Sequence, residues 1–137
     1  MLYVGIMGSR CAIFQFGRGK GIDVKTFDAE RFRTALDKAN SSGVRCIIGM
    51  PDEGIIERAA GAVNPALFAK VYCVSRGIPY MYIKESRLRD AFKVQEGQTI
   101  RQECKMRYPD IEVRGTEQEQ EDTAKAILLA EYARKYF

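Results

Sequence analysis

Five carboxylates stand where chemistry could be done. Asp52 and Glu53 follow Pro51, directly after the apolar run Val44 to Met50, and Glu119, Glu121 and Asp122 crowd the start of the last helical stretch. Three of them gathered together could share a divalent cation such as Mg²⁺, which prefers oxygen ligands. A plainer role suits the same residues: acids in the first turn of a helix complement its macrodipole. Other chemistries are closed. The chain has 0 histidines, which removes the commonest general base and the commonest zinc ligand and, with them, zinc catalysis and any Ser-His or Cys-His nucleophile. Cys11, Cys46, Cys73 and Cys104 are widely spaced, form no Cys-x-x-Cys, and read as buried thiols.

Cations give the second pattern. Lys84, Arg87, Arg89, Lys93, Arg101, Lys105 and Arg107 share one window with only the acids Glu85, Asp90, Glu96 and Glu103. Such a set suits salt-dependent, sequence-tolerant contacts to phosphates, and it equally suits a solvated helix face. Arg10, in a predicted turn, is a separate phosphate-contact candidate. Net charge is +4 over 137 residues. The excess of base lies before residue 108, and the last thirty residues are acidic. Aromatic residues interleave sparingly, at Tyr80, Tyr82, Phe92 and Tyr108. Gly17-Arg18-Gly19-Lys20-Gly21 resembles a phosphate-cradling loop only on the surface: it joins two strands, whereas a P-loop joins strand to helix and ends in Gly-Lys-Ser/Thr.

These residues must be positioned by a mixed α/β framework. Leu2–Ile6, Cys11–Phe16 and Ile22–Phe27 read as three antiparallel strands, with turns at Met7–Arg10 and Gly17–Gly21. Asp28 caps a helix in which Phe32, Leu36 and Ala39 share a face. Val44–Met50 is apolar enough for a central strand covered on both sides. Helical periodicity runs from Ile55 to Arg76, with a break at Gly61 or at Asn64-Pro65, where Asn64 caps a second helix carrying Pro65 at its first position. Tyr80–Ile83 is a strand, Ser86 is expected to cap a short basic helix, Thr99–Arg107 forms another, and Glu119–Tyr136 forms the last, burying Ala124, Ile127, Leu128 and Tyr132. One domain over residues 1–137 is expected, with no transmembrane span and no secretory leader.

In its order of elements, and in Gly5-Ile6-Met7-Gly8-Ser9-Arg10, the chain resembles the RuvC family of Holliday-junction resolvases, whose first strand runs Gly-Ile-Asp-Pro-Gly-Ser-Arg. Asn64-Pro65-Ala66-Leu67 through Ser75-Arg76-Gly77-Ile78-Pro79 is similar to the family helix ending in Arg-Gly. Lys84 to Val94 is similar to its basic stretch. Glu121-Asp122-Thr123-Ala124-Lys125-Ala126-Ile127-Leu128-Leu129-Ala130 resembles its C-terminal signature. The resemblance implies a ribonuclease H-like mixed sheet, three antiparallel strands followed by parallel ones, with helices on both faces. It also implies four carboxylates holding two metal ions. Here Met7 replaces the first, Gly49 or Met50 the second and Lys125 the fourth, and only Asp122 is kept. A cation in the last place opposes Mg²⁺.

The expected function is therefore DNA binding, to branched or single-stranded DNA, without metal-dependent cleavage and without a cofactor. The binding residues are Arg10, Lys84, Arg87, Arg89, Lys93, Arg101 and Lys105. Two alternatives stay open. One is an active Mg²⁺-dependent, structure-selective endonuclease using Asp122, Glu121, Asp52 and Glu53, with Asp122 as metal ligand. The other is a protein-interaction scaffold pairing through Val63, Leu67, Val71 and Val74. The resemblance also implies a homodimer, and a DNA-associated, cytoplasmic location.

Overall fold

The structure, a computed structural model, describes residues 1–15, 21–39, 43–50 and 64–137. The expected glycine turn, Asp52, Glu53, Val63 and the proposed helix from Ile55 lie outside the described residues. β1 (Leu2–Met7), β2 (Arg10–Gln15) and β3 (Gly21–Thr26) form the antiparallel part of one sheet, and β4 (Val44–Met50) and β5 (Tyr80–Lys84) join β1 in parallel. The spatial order is β3-β2-β1-β4-β5. The first hairpin is tighter than the sequence suggested. Met7 and Arg10 pair as strand residues, leaving Gly8 and Ser9 as the turn, and Gly8 at φ 56° supplies the left-handed backbone such a turn needs.

Strand alternation decides which layer each side chain joins. Leu2, Val4 and Ile6 of β1, with Val44, Cys46 and Ile48 of β4, pack under α1 (Ala29–Asp37) and α2 (Pro65–Arg76). Met7 and Ile47 face the opposite layer, built from α3 (Glu85–Ala91), α4 (Ile100–Arg107) and α5 (Glu117–Tyr136). Helix starts follow the capping chemistry. The Asp28, Asn64, Thr99 and Thr116 side chains accept from backbone N–H groups of the first turns of α1, α2, α4 and α5. Gly77, at φ 68°, closes α2. Ser86 does not cap α3: β5 runs straight into the helix, Lys84 is the N-cap residue, and Ser86 lies inside the first turn.

α5 departs furthest from a one-sided amphipathic helix. Every residue from Thr123 to Ala133 is buried, including Lys125 and Glu131, because the helix is wedged between the sheet on one side and α3 and α4 on the other. Buried charges inside such a helix need partners. Glu131 receives Tyr108 Oη at 2.7 Å and Arg134 Nε at 2.9 Å. Burial pushes the Glu131 carboxyl up, but these two donors and the charges of Arg134 and Lys135 more than offset it and hold the group below its ordinary range.

A depressed carboxylate contributes stability above its unfolded value and loses it as pH falls through the folded value. Tyr108→Phe should therefore cost about 1.5–2 kcal/mol at neutral pH, the worth of a hydrogen bond to a charged group. The deficit should shrink on acidification, as pH falls through the depressed folded value and Glu131 takes up its proton. Urea unfolding at pH 7 and at pH 3.5 checks both the size and the sign. Among the described residues, no helix is long and apolar enough to cross a membrane.

Candidate functional site

Three parallel strands, β1, β4 and β5, end together beside the first turns of α5, and in open α/β sheets the carboxyl ends of parallel strands are where ligands are bound. Small residues bring the helix there. A Cβ on Gly5 would run into the Ala126 carbonyl oxygen and stand 2.5 Å from the Ala130 nitrogen, so α5 rides directly on the backbone of β1. One helical turn before Ala126, the Asp122 carboxylate lies over Gly8, where an added Cβ would be 2.9 Å from Asp122 Cγ. The acid kept by the resemblance thus sits at the end of β1.

The neighbouring positions are apolar. Met7 is buried, and its thioether occupies the space that a side chain on Gly49 would need; a Cβ there would also lie 2.8 Å from Leu129 Cδ1. The two residues are complementary, because the missing side chain at the end of β4 is what leaves room for a long one at the end of β1.

Lys125 is the fixed charge of the site. Its ammonium lies 3.0 Å from Glu85 Oε1 and 3.6 Å from Glu121 Oε2, with the lysine side chain 10% exposed. Glu85 was not singled out from the sequence: forty residues separate it from Lys125, and no local pattern marks the pair. Asp122 titrates above its ordinary value. Burial is the main cause and Glu121 adds to it, against the Gln118 hydrogen bond and the charges of Lys125 and Arg10. Arg10 crosses the same end of the sheet, donating to Thr26 Oγ1 at 2.6 Å and pairing with Glu119, while its buried Nε has no hydrogen-bond partner among the described residues.

The expected DNA-contact residues divide into two groups. Arg10, Arg89 and Arg101 are engaged: Arg89 donates to the Gln98 carbonyl oxygen at 3.0 Å, and Arg101 reaches Gln120 and lies 3.8 Å from Glu117. Lys84, Arg87, Lys93 and Lys105 are exposed, with no acid in ion-pair reach among the described residues. Arg87 Nε donates to Tyr132 Oη, at 3.4 Å. Lys93 holds a left-handed backbone, φ 53°, at the end of α3. On α2, Leu67, Val71 and Val74 stand exposed. All four cysteines are buried free thiols, and burial pushes those of Cys11 and Cys104 up to about 12.

No family model matches the sequence, and no curated protein matches it. Solved structures do. The structure of Thermus thermophilus RuvC is similar over 98% of this chain and 96% of that one, at a TM-score of 0.53 and 12% identity. T. thermophilus RuvC in complex with Holliday junction substrate is similar over 99% and 96%, at 0.54 and 13%. The chain has a RuvC-like, ribonuclease H-like α/β fold. Among the described residues, the strand ends do not supply the carboxylates that the metal pair implied by the fold family needs. A buried thioether and a glycine stand at two strand ends, thioether sulfur is a poor partner for Mg²⁺, and an ammonium fills the space between Glu85 and Glu121. Among the described residues no group of three or more His, Cys, Asp or Glu is arranged to hold a metal ion.

Proposed function

We propose that this chain is a single RuvC-like domain that binds branched or single-stranded DNA through its basic face and has lost metal-dependent cleavage. The observation that carries the reading is Lys125, whose ammonium is anchored between two carboxylates where a hydrolytic site would need a divalent cation. The exposed cations Lys84, Arg87, Lys93 and Lys105 support phosphate contact. One structural neighbour, T. thermophilus RuvC, is solved in complex with a Holliday junction as its substrate, which makes a four-way junction the first ligand to try. A DNA-associated place inside the cell follows from the same reading. Homodimerisation is supported by the apolar stripe Leu67, Val71 and Val74, exposed at i, i+4 and i+7 along α2, and a two-fold protein suits a two-fold substrate.

The test is a labelled four-way junction incubated with the protein in Mg²⁺ or Mn²⁺, followed by band shifts at low and physiological salt. Intact junction, retarded strongly at low salt and weakly at higher salt, is the expected result. Strand cleavage that disappears in Asp122→Asn would show that Asp122 and Glu121, with Asp52 and Glu53, still make a working centre, and would overturn the proposal.

A further inference from the structure

A second surface lies at the far end of α5, where aromatic rings and cations meet. Tyr136 is 60% exposed, and its ring centroid is 4.9 Å from that of Tyr132. Tyr132 Oη accepts from Arg87. Lys135 Nζ lies 5.7 Å from the centroid of the Phe92 ring, and Arg107 Cζ lies 4.7 Å from it on a guanidinium that also pairs with Glu103. Glu131, on the preceding turn of α5, is buried and committed to Arg134 and Tyr108, and Asp90 on α3 makes no ion pair among the described residues. Neither Arg87 nor Lys135 has an acid in ion-pair reach among the described residues.

The patch is continuous with the strand-end site. Lys84 closes β5 beside Glu85, the partner of Lys125, and Arg87 follows on α3. From Lys125 to Tyr136 is eleven residues of helix, about 16 Å at the ordinary rise. Arg87 and Lys135 therefore lie between the strand ends and an open aromatic ring.

Cations at a helix end complement the macrodipole, which is reason enough for Arg134 and Lys135. That does not account for an exposed tyrosine close to a lysine and an arginine with no acid in ion-pair reach among the described residues. A phenol ring with one face free is a platform for a base, and flanking ammonium and guanidinium groups are the complement of the phosphates on either side. Stacking with a backbone-tracking basic row is how single strands are held without reading sequence. A duplex keeps its bases stacked on one another and has no free face to offer.

We propose that Arg87 and Lys135 track the backbone of a single-stranded nucleic acid, one base of which stacks on Tyr136. The inference rests on the nucleic-acid reading above and narrows it to single strands, including the unpaired arms of branched DNA.

The test is the fluorescence anisotropy of a labelled oligo-dT single strand and of a fully paired four-way junction, with wild type, Tyr136→Ala, Tyr136→Phe and the double variant Arg87→Gln/Lys135→Gln. Tyr136→Ala should weaken single-strand binding by roughly ten- to a hundredfold, the effect of losing one base-stacking ring. Tyr136→Phe, which keeps the ring, should stay close to wild type. The Gln pair should flatten the slope of log affinity against log salt by about 1.4, at 0.7 for each lost single-strand phosphate contact. Junction affinity should respond little to Tyr136→Ala.

Tyr136→Ala binding the single strand as tightly as wild type would overturn the inference and leave the nucleic-acid reading standing. So would a wild type that binds the junction but no single strand. A wild type that binds neither at low salt overturns both.

Discussion

Gly5→Ala should unfold the protein at markedly lower denaturant, with a loss of about 3 kcal/mol or more, at the upper end of what overpacking costs. The added methyl has nowhere to go. Its nearest neighbours are the Ala126 carbonyl oxygen, the Ala130 nitrogen at 2.5 Å and Leu129 Cβ at 2.9 Å, and two of the three are backbone atoms of a helix that α3 and α4 hold from the other side. Relief requires moving α5 as a body, which would draw Asp122 away from Gly8 and open the strand-end site. Ala126, Ala130 and Ala133 are all fully buried and small, so the helix as well as the strand is built for the close approach. Gly43→Ala is the comparison, because a Cβ there meets nothing within 4 Å among the described residues, and it should leave the urea midpoint nearly unchanged. Equal midpoints for the two variants would mean that the helix does not rest on β1 as described.

The parts of this arrangement that were legible in the sequence are those written locally. Val44–Met50 read as a buried central strand because nearly every residue is apolar, and β4 is covered by α2 below and α5 above. Asn64 and Pro65 announced α2 because a side-chain acceptor followed by a residue with no N–H matches the needs of a helix start. The site itself depends on long-range fits that no window contains. Met7 is tolerated because Gly49, on another strand, has no side chain, and Lys125 is tolerated because Glu85, at the start of a different helix, turns toward it. Read alone, Lys125 marks only the loss of an acid. Lys125 and Glu131 can lie inside the buried stretch of α5 because each is neutralised by a partner on another element or one turn away along the helix. Local pattern therefore gave the scaffold, and the electrostatics of the strand ends required coordinates.

Lys125→Met should destabilise the protein at neutral pH and, unlike the wild type, make its stability respond to Mg²⁺. Methionine keeps the length and apolar stem of lysine, so packing changes little. What is lost is the ammonium 3.0 Å from Glu85 and 3.6 Å from Glu121, in a position only 10% exposed. Removing one member of a buried pair costs about 3–5 kcal/mol. Here the glutamates are 29% exposed and keep some water, so a loss of about 2 kcal/mol is expected after that screening. The pH dependence has a definite sign. Asp122 already titrates above its ordinary value, burial being the first cause, and Lys125 is among the groups that restrain the rise. Without the ammonium its folded value climbs further. A carboxyl raised in the folded state binds its proton more tightly than in the unfolded chain, so stability is regained as pH falls through the folded value toward the unfolded one. The variant should therefore recover part of its deficit on mild acidification. Millimolar Mg²⁺ supplies the missing charge by another route, and binding to the folded form alone raises the melting temperature by mass action. Adding Glu85→Gln should return much of the stability and weaken the response to the ion, because fewer carboxylates are then left to compensate. Thermal melts of the wild type, the single and the double variant, with and without Mg²⁺, decide the matter. A single variant as stable as wild type and indifferent to the ion would mean that Lys125 is not the cation around which this end of the sheet is built.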